Sequence, residues 1–271
     1  MLRLLKMPFP LRRALILTSL LAGLGGAAPV QAEQSGLRRL STGDDSRGWE
    51  AVGRLNFGQE AFCTGALIAP NLVLTAAHCL YSKSTGQMVD PKDVEFLAGW
   101  RDGRAAAYRG AKRVIVDADY DYGNTDKMAR VATDLGLVEL DQPIRLPSLQ
   151  PLPLGDDLFK GEEVGVVSYA HDRSEAPSLQ SLCTVLNRAG GVALMSCAAD
   201  FGTSGAPVFA QRDGHPQIVA VVSAKAELEG QPVSLGAGVG PVAALRARLE
   251  TGRGSASAGR SRDTGAKFLR P

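Results

Sequence analysis

From Trp49 onward the chain is a succession of short apolar runs set between turn residues, and such runs have the length of β-strands rather than of helices. Ala51–Asn56, Ala61–Ile68, Leu72–Thr75, Val94–Ala98, Ala111–Val116 and Leu135–Leu140 form a first set of six. Glu163–Ser168, Ser181–Leu186, Val192–Cys197, Pro207–Ala210, Ile218–Ser223 and Ser234–Gly238 form a second. Between the sets lies Asp141–Asp157, which carries Pro143, Pro147, Pro151 and Pro153. Proline removes backbone donors and fixes φ, so this stretch reads as a crossing between two halves, 49–141 and 157–240. Helical spacing is convincing only over 242–250, where Val242, Leu245 and Leu249 share one face. The chain is therefore expected to be all-β with a short C-terminal helix.

The N-terminus is of a different kind. Arg3, Lys6, Arg12 and Arg13 precede a largely apolar run from Ala14 to Ala28 and a small-residue pattern at Val30-Gln31-Ala32. That is the pattern of a secretory signal peptide over 1–32. The run falls short of the roughly 20 residues that span a bilayer, so no membrane span is expected. Removing four positive charges takes the formal charge from +2 to −2, which gives no electrostatic case for nucleic acid. Residues 33–48 are polar, without apolar period, and read as a flexible leader or propeptide in which Arg38-Arg39 offers a processing site. Residues 251–271, with Arg253, Arg260, Arg262, Lys267 and Arg270 against Asp263, read as a disordered basic tail.

Three residues carry chemistry. His78 lies in the box Leu74-Thr75-Ala76-Ala77-His78-Cys79, and Ser204 in Gly202-Thr203-Ser204-Gly205-Ala206-Pro207. Asp134 comes between them at the start of the apolar run Leu135–Leu140. A serine hydroxyl is a poor nucleophile until a base takes its proton, and that base needs a third group to fix its tautomer and stabilise its cation. Asp126, in a polar loop, is the reserve for that third role, whereas Asp117, Asp119 and Asp121 read as a solvated loop. His171 and His215 sit in turn-like segments without a nucleophile nearby and read as surface residues. The backbone N–H groups of Gly202 and Ser204 are candidates for an oxyanion hole, glycine letting its peptide face a substrate oxygen.

The boxes around His78 and Ser204, in the order His, Asp, Ser, resemble those of the chymotrypsin-like (trypsin-like) serine peptidases, and among them the secreted bacterial branch that includes the glutamyl endopeptidases. The resemblance covers about Val52 to Leu249 and implies two six-stranded antiparallel β-barrels with a cleft between them. It implies a secreted endopeptidase, periplasmic or extracellular, acting on protein or peptide substrates through an acyl-enzyme. His78 and Asp134 would lie on the first barrel and Ser204 on the second. An α/β-hydrolase is excluded by the order of the triad and by Ala206, where its elbow needs glycine. A protease-like scaffold that binds without cleaving is the alternative of a different class.

Several further expectations attach to this resemblance. Four cysteines in an exported chain suggest two disulfides. Cys63–Cys79 would hold the strand of Cys63 to the base, and Cys183–Cys197 would bridge a hairpin about Ala189-Gly190-Gly191. Thr203 stands where digestive members have an aspartate that pairs with a freshly cut N-terminus, so a site formed without that rearrangement is expected. Ala198 occupies the position of an acid in trypsin-like enzymes and gives no support for Arg or Lys preference. Ser223 matches the strand edge that pairs with substrate, and Lys225, where the family's Trp-Gly is missing, is a candidate attraction for an acidic side chain. No cofactor or metal is implied, because a glycine-rich phosphate loop and clustered free ligands are lacking. A monomer is expected.

Overall fold

The computed structural model describes residues 36–58, 61–252 and 256–257, the last two by backbone alone. The expected signal peptide and most of the basic tail lie outside the described residues.

Fourteen strands occur among the described residues. The first, β1 (Leu37–Arg39), is followed by β2 (Val52–Phe57), β3 (Ala61–Ala69), β4 (Leu72–Thr75), β5 (Val94–Ala98), β6 (Ala107–Val116) and β7 (Gly136–Leu140). Beyond the proline-rich crossing come β8 (Glu163–Ser168), β9 (Ser178–Ala189), β10 (Val192–Met195), β11 (Pro207–Arg212), β12 (His215–Leu228) and β13 (Gln231–Gly238), then β14 (Ala256–Ser257). The helices α1 (Lys127–Ala132) and α2 (Val242–Glu250) complete the set, with three single turns of 3-10 helix.

Strands β2-β3-β4-β7-β6-β5 close on themselves through the β2–β5 and β6–β7 pairings, and β8-β9-β10-β13-β12-β11 close through β8–β9 and β8–β11. Every pairing is antiparallel, so the molecule is two closed six-stranded barrels of the chymotrypsin-like kind. Closure leaves no long free edge on either barrel body. The larger apolar core runs from Val52, Leu67 and Phe96 of the first barrel to Val167, Tyr169 and Phe209 of the second. Helix α2 buries Val242, Leu245 and Leu249, as its period requires.

Three segments differ from the sequence-based expectation. The polar stretch 33–48, read as a flexible leader, contains β1, which pairs with β9 from Leu37↔Gln180 to Arg39↔Ser178. Leu40 after it is fully buried and donates its N–H to Pro177 O at 2.8 Å. At the other end, Ala256–Ser257 of the tail adds a short strand to the edge of β6. Asp126, the reserve third member, is the N-cap of α1, its carboxylate accepting the N–H groups of Met128 and Ala129 at 2.9 and 3.1 Å.

Candidate active site

Strand β4 runs straight into a one-turn helix, Ala77–Leu80, that carries His78. The Cys63–Cys79 disulfide ties that turn to β3, and Cys183–Cys197 closes the β9–β10 hairpin. Both pairings are those expected. Asp134 enters from the loop before β7 and is 2% exposed. A buried carboxylate is costly unless its lone pairs are satisfied, and here three donors converge on it. His78 donates its backbone N–H to Oδ1 at 2.8 Å, His78 Nδ1 meets Oδ2 at 2.6 Å, and the Ser223 hydroxyl donates to Oδ2 at 2.5 Å. An ionised Asp134 can only accept, so Nδ1 carries the proton and Nε2 is left with its lone pair.

The Ser204 turn is fixed from both barrels. Its carbonyl accepts the N–H of Thr64 on β3 at 2.9 Å, and Gly205 donates to Val222 O on β12 at 2.8 Å. Gly205 has φ +79°, and a Cβ there would lie 2.1 Å from Thr75 Oγ1 and 2.3 Å from Thr64 O. Only glycine lets the turn approach the strand that leads into His78. Gly202, at φ +94°, is pressed against Phe62, whose ring a Cβ would meet at 2.5 Å. The Gly202 carbonyl accepts the Thr64 hydroxyl at 2.9 Å, and that hydroxyl in turn accepts the N–H of Tyr169 at 3.0 Å.

Backbone donors in this loop can be followed one by one. Asp200 N–H goes to Thr203 Oγ1, Phe201 N–H to Asp200 Oδ1, Thr203 N–H to Asp200 O, Gly205 N–H to Val222 O and Ala206 N–H to Thr203 O. Among the described residues, Gly202 and Ser204 are the two positions of 200–206 whose N–H has no acceptor. The preceding carbonyl, Phe201 O, is held by His171 N–H at 2.7 Å, which turns the Gly202 N–H to the opposite side of that peptide. Two unsatisfied N–H groups on one turn are a ready site for an anionic oxygen. Thr203, 1% exposed, exchanges two hydrogen bonds with Asp200, its N–H donating to Asp200 O and its Oγ1 accepting Asp200 N–H. The Ser204 hydroxyl itself makes no hydrogen bond among the described residues, while His78 Nε2 lies 3.8 Å from Cys79 Sγ.

Of the positions flagged for specificity, Ser223 belongs to this core through its bond to Asp134, whereas Ala198 and Lys225 fall outside it. Ala198 is exposed. Lys225 Nζ is 3.7 Å from Asp200 Oδ1 and 4.3 Å above the ring of Phe201, so its charge is already shared with a neighbour. His171 and His215 are exposed. Cys63, His78 and Cys79 bring ligand-type atoms within 4.8 Å of one another, but the two sulfurs are joined in the disulfide and cannot serve as thiolates. Sequence reasoning missed Thr64 and Tyr169, which no motif marks, and it assigned Ser223 to substrate pairing without its bond to Asp134.

Two closed barrels, with a buried acid bonded to a partly exposed imidazole on one and a glycine-flanked serine turn on the other, define the chymotrypsin-like peptidase architecture. The chain belongs to the trypsin family, whose model matches residues 42–239. Glutamyl endopeptidase of Bacillus licheniformis is 27% identical over 168 residues, covering 55% of this chain and 45% of that protein. Chymotrypsin-2 of Vespa crabro is 33% identical over 98 residues, 35% of this chain and 42% of that protein. Clotting factor C of Tachypleus tridentatus is 28% identical over 109 residues, 38% of this chain and 10% of that protein. The chain thus spans less than half the length of each of these relatives. A solved structure of a Glu endopeptidase in complex with MPD superposes with a TM-score of 0.64 at 19% identity, over 81% of this chain and 97% of that one, a likeness of fold.

Proposed function

We propose that the protein is a secreted serine endopeptidase that cleaves peptide bonds through an acyl-enzyme, with His78, Asp134 and Ser204 as the triad. The observation that carries this reading is the pair of acceptor-less N–H groups at Gly202 and Ser204, on the same turn as the serine hydroxyl. As Ser204 Oγ attacks the substrate carbonyl, His78 Nε2 takes its proton and later delivers it to the leaving amine. Asp134 stays ionised, orients the imidazole and stabilises its cation. Charge developing on the carbonyl oxygen is received by the two N–H groups, each worth roughly 3 kcal/mol in the transition state. Thr203, occupied by Asp200, has no need of an N-terminal ammonium, which supports a site formed without rearrangement. Export by the 1–32 segment agrees with the two disulfides, which form in oxidising compartments.

A catalytically silent binding scaffold is the second reading, favoured by the absence of a Ser204–His78 hydrogen bond among the described residues. Labelling of the mature protein by a fluorophosphonate, wild type against Ser204→Ala, separates the two. Labelling of wild type alone supports the peptidase; no labelling of either folded protein sinks it.

A further inference from the structure

The imidazole of the site is flanked by sulfur. Cys79 Sγ lies 3.8 Å from His78 Nε2, and Cys63 Sγ is bonded to Cys79 Sγ. Among the described residues, Cys63, His78 and Cys79 are the one group of three whose ligand-type atoms lie within 4.8 Å of one another. Sulfur and nitrogen donors on a tetrahedral zinc ion stand about 3.5–3.8 Å apart, as bonds of roughly 2.0–2.3 Å require. The imidazole is also set as zinc ligands are: its Nδ1 faces Asp134 Oδ2 at 2.6 Å, which fixes the ring and leaves the Nε2 lone pair free. What keeps a metal out is the sulfur–sulfur bond, which leaves no thiolate.

The frame around these atoms is held by other bonds as well. Cys63 pairs with Leu55 in the β2–β3 ladder, and the carbonyl of its neighbour Thr64 accepts the Thr75 hydroxyl at 2.9 Å. Cys79 donates its N–H to Ala76 O at 3.2 Å, and Leu80 after it is fully buried and accepts the Val89 N–H at 2.9 Å. The two cysteine Cα atoms, 6.3 Å apart, are thus positioned by the sheet on one side and by the one-turn helix on the other. Cys63 and Cys79 are 8% and 6% exposed, and the His78 side chain 25%, so an ion reaches the group past the imidazole.

We propose that reduction of Cys63–Cys79 turns this group into a zinc site, with Cys63 Sγ, Cys79 Sγ and His78 Nε2 as ligands and a fourth position open to water, and that the bound ion switches the enzyme off. The metal site stands on these residues alone, whereas its inhibitory effect rests on the peptidase reading above. An external dithiol supplies the electrons: the Cys63–Cys79 bond breaks, the dithiol's two sulfurs join, and its two hydrogens pass to the cysteines. Zinc then displaces both thiol protons to solvent and takes the Nε2 lone pair. Two thiolates and an imidazole suit a borderline-soft divalent ion and are poor ligands for calcium or magnesium. With its lone pair on the metal, His78 cannot accept the Ser204 proton. A chelator that removes the ion returns the lone pair with the sulfurs still reduced.

The test uses the mature protein under argon, with a water-soluble phosphine in place of the dithiol because dithiols themselves bind zinc. The phosphine leaves as its oxide, the oxygen and both hydrogens coming from water. Cobalt(II), a spectroscopic stand-in for zinc, should bind the reduced protein with one equivalent that shows thiolate charge-transfer absorption and the visible bands of a tetrahedral ion. Zinc should displace it, and the oxidised protein should show neither feature. His78→Ala and Cys63→Ser should each weaken cobalt binding about tenfold or more, and Ser204→Ala should leave it unchanged. Fluorophosphonate labelling of the reduced wild type should slow about tenfold or more with excess zinc and recover with EDTA. A reduced protein that unfolds, that binds cobalt without thiolate absorption, or that binds it equally tightly in both weakened variants overturns the metal site. Equal inhibition of the oxidised protein by zinc places the ion on the imidazole alone and also overturns it. Cobalt binding with labelling unchanged by zinc overturns the switch. If the oxidised, metal-free protein is itself unlabelled, the peptidase reading falls, while the cobalt spectra still decide the metal site.

Discussion

Ser223 and Asp134, 89 residues apart and on different barrels, are joined by a 2.5 Å hydrogen bond from the serine hydroxyl to the carboxylate. The same Oδ2 receives His78 Nδ1, so the orientation of the imidazole is set by both barrels at once. Ser223→Ala removes one donor from a carboxylate that is buried, at a cost of roughly 1.5–3 kcal/mol. The expected outcome is a kcat at least tenfold lower with KM nearly unchanged, measured on any cleaved peptide. An unchanged kcat would mean that the bond plays no part in positioning His78.

The two acids the sequence left in competition separate cleanly by substitution. Asp134→Asn presents an amide that no longer demands the Nδ1 proton, and the resulting wrong tautomer is expected to lower kcat by about 10⁴. Asp126→Ala removes a helix cap and should cost only ~1 kcal/mol of stability, with activity retained. Thermal melting beside steady-state rates distinguishes these effects.

Thr64 is the joint at which the serine loop meets the first barrel. Fully buried, it binds Ser204 O through its N–H, Gly202 O through its hydroxyl, and Tyr169 N–H as an acceptor. Thr64→Val keeps the shape and leaves the Tyr169 N–H and Gly202 O without their partner, costing about 1–3 kcal/mol. Fluorophosphonate labelling should slow with it, because the turn that carries the Gly202 and Ser204 N–H groups loses one of its anchors to the first barrel. Thr64→Ser should restore most of both; failure of that rescue would mean that the methyl, not the hydroxyl, matters.

Acid stability is expected to run through Glu139. Burial pushes its carboxyl up, but the hydrogen bonds and charges of Arg113 and Lys112 outweigh that and hold it below the ordinary carboxylate value of 4.5. A depressed folded-state pKa means that the unfolded chain binds the proton first on acidification. The stabilisation is complete above the unfolded value and is lost as pH falls through the folded one. Glu139→Gln should therefore be less stable than wild type at pH 7, with the gap narrowing below pH ~4. Melting temperatures of both proteins across pH 3 to 7 test this; a constant gap would contradict it.

The strand cores and the boxes around His78 and Ser204 were legible because burial writes a local pattern of apolar residues. What escaped was whatever is held from outside its own segment. In β1 all three residues are exposed, and pairing with β9 alone defines the strand. The outer part of β12 is exposed or half-buried and carries Lys225 and Glu227, so no apolar period marks it, and the expected strand stops at Ser223. Helix α1 is six residues long, too short for a period, and only its cap at Asp126 betrays it. Ser223 and Thr64 act on residues far away in sequence, and spacing carries no trace of such bonds.

Tyr169 has a wider consequence. A second-barrel residue, it donates its N–H to Thr64 Oγ1 at 3.0 Å and its hydroxyl to Trp100 O at 2.8 Å, gripping the first barrel at two separate points. One of these ties is made by the backbone and the other by the far end of the side chain, and with the Thr64 and Ser223 bonds they brace one barrel against the other. On the peptidase reading, the spacing of the two halves of the site is set before any substrate arrives, and a polypeptide would be threaded between them rather than clasped.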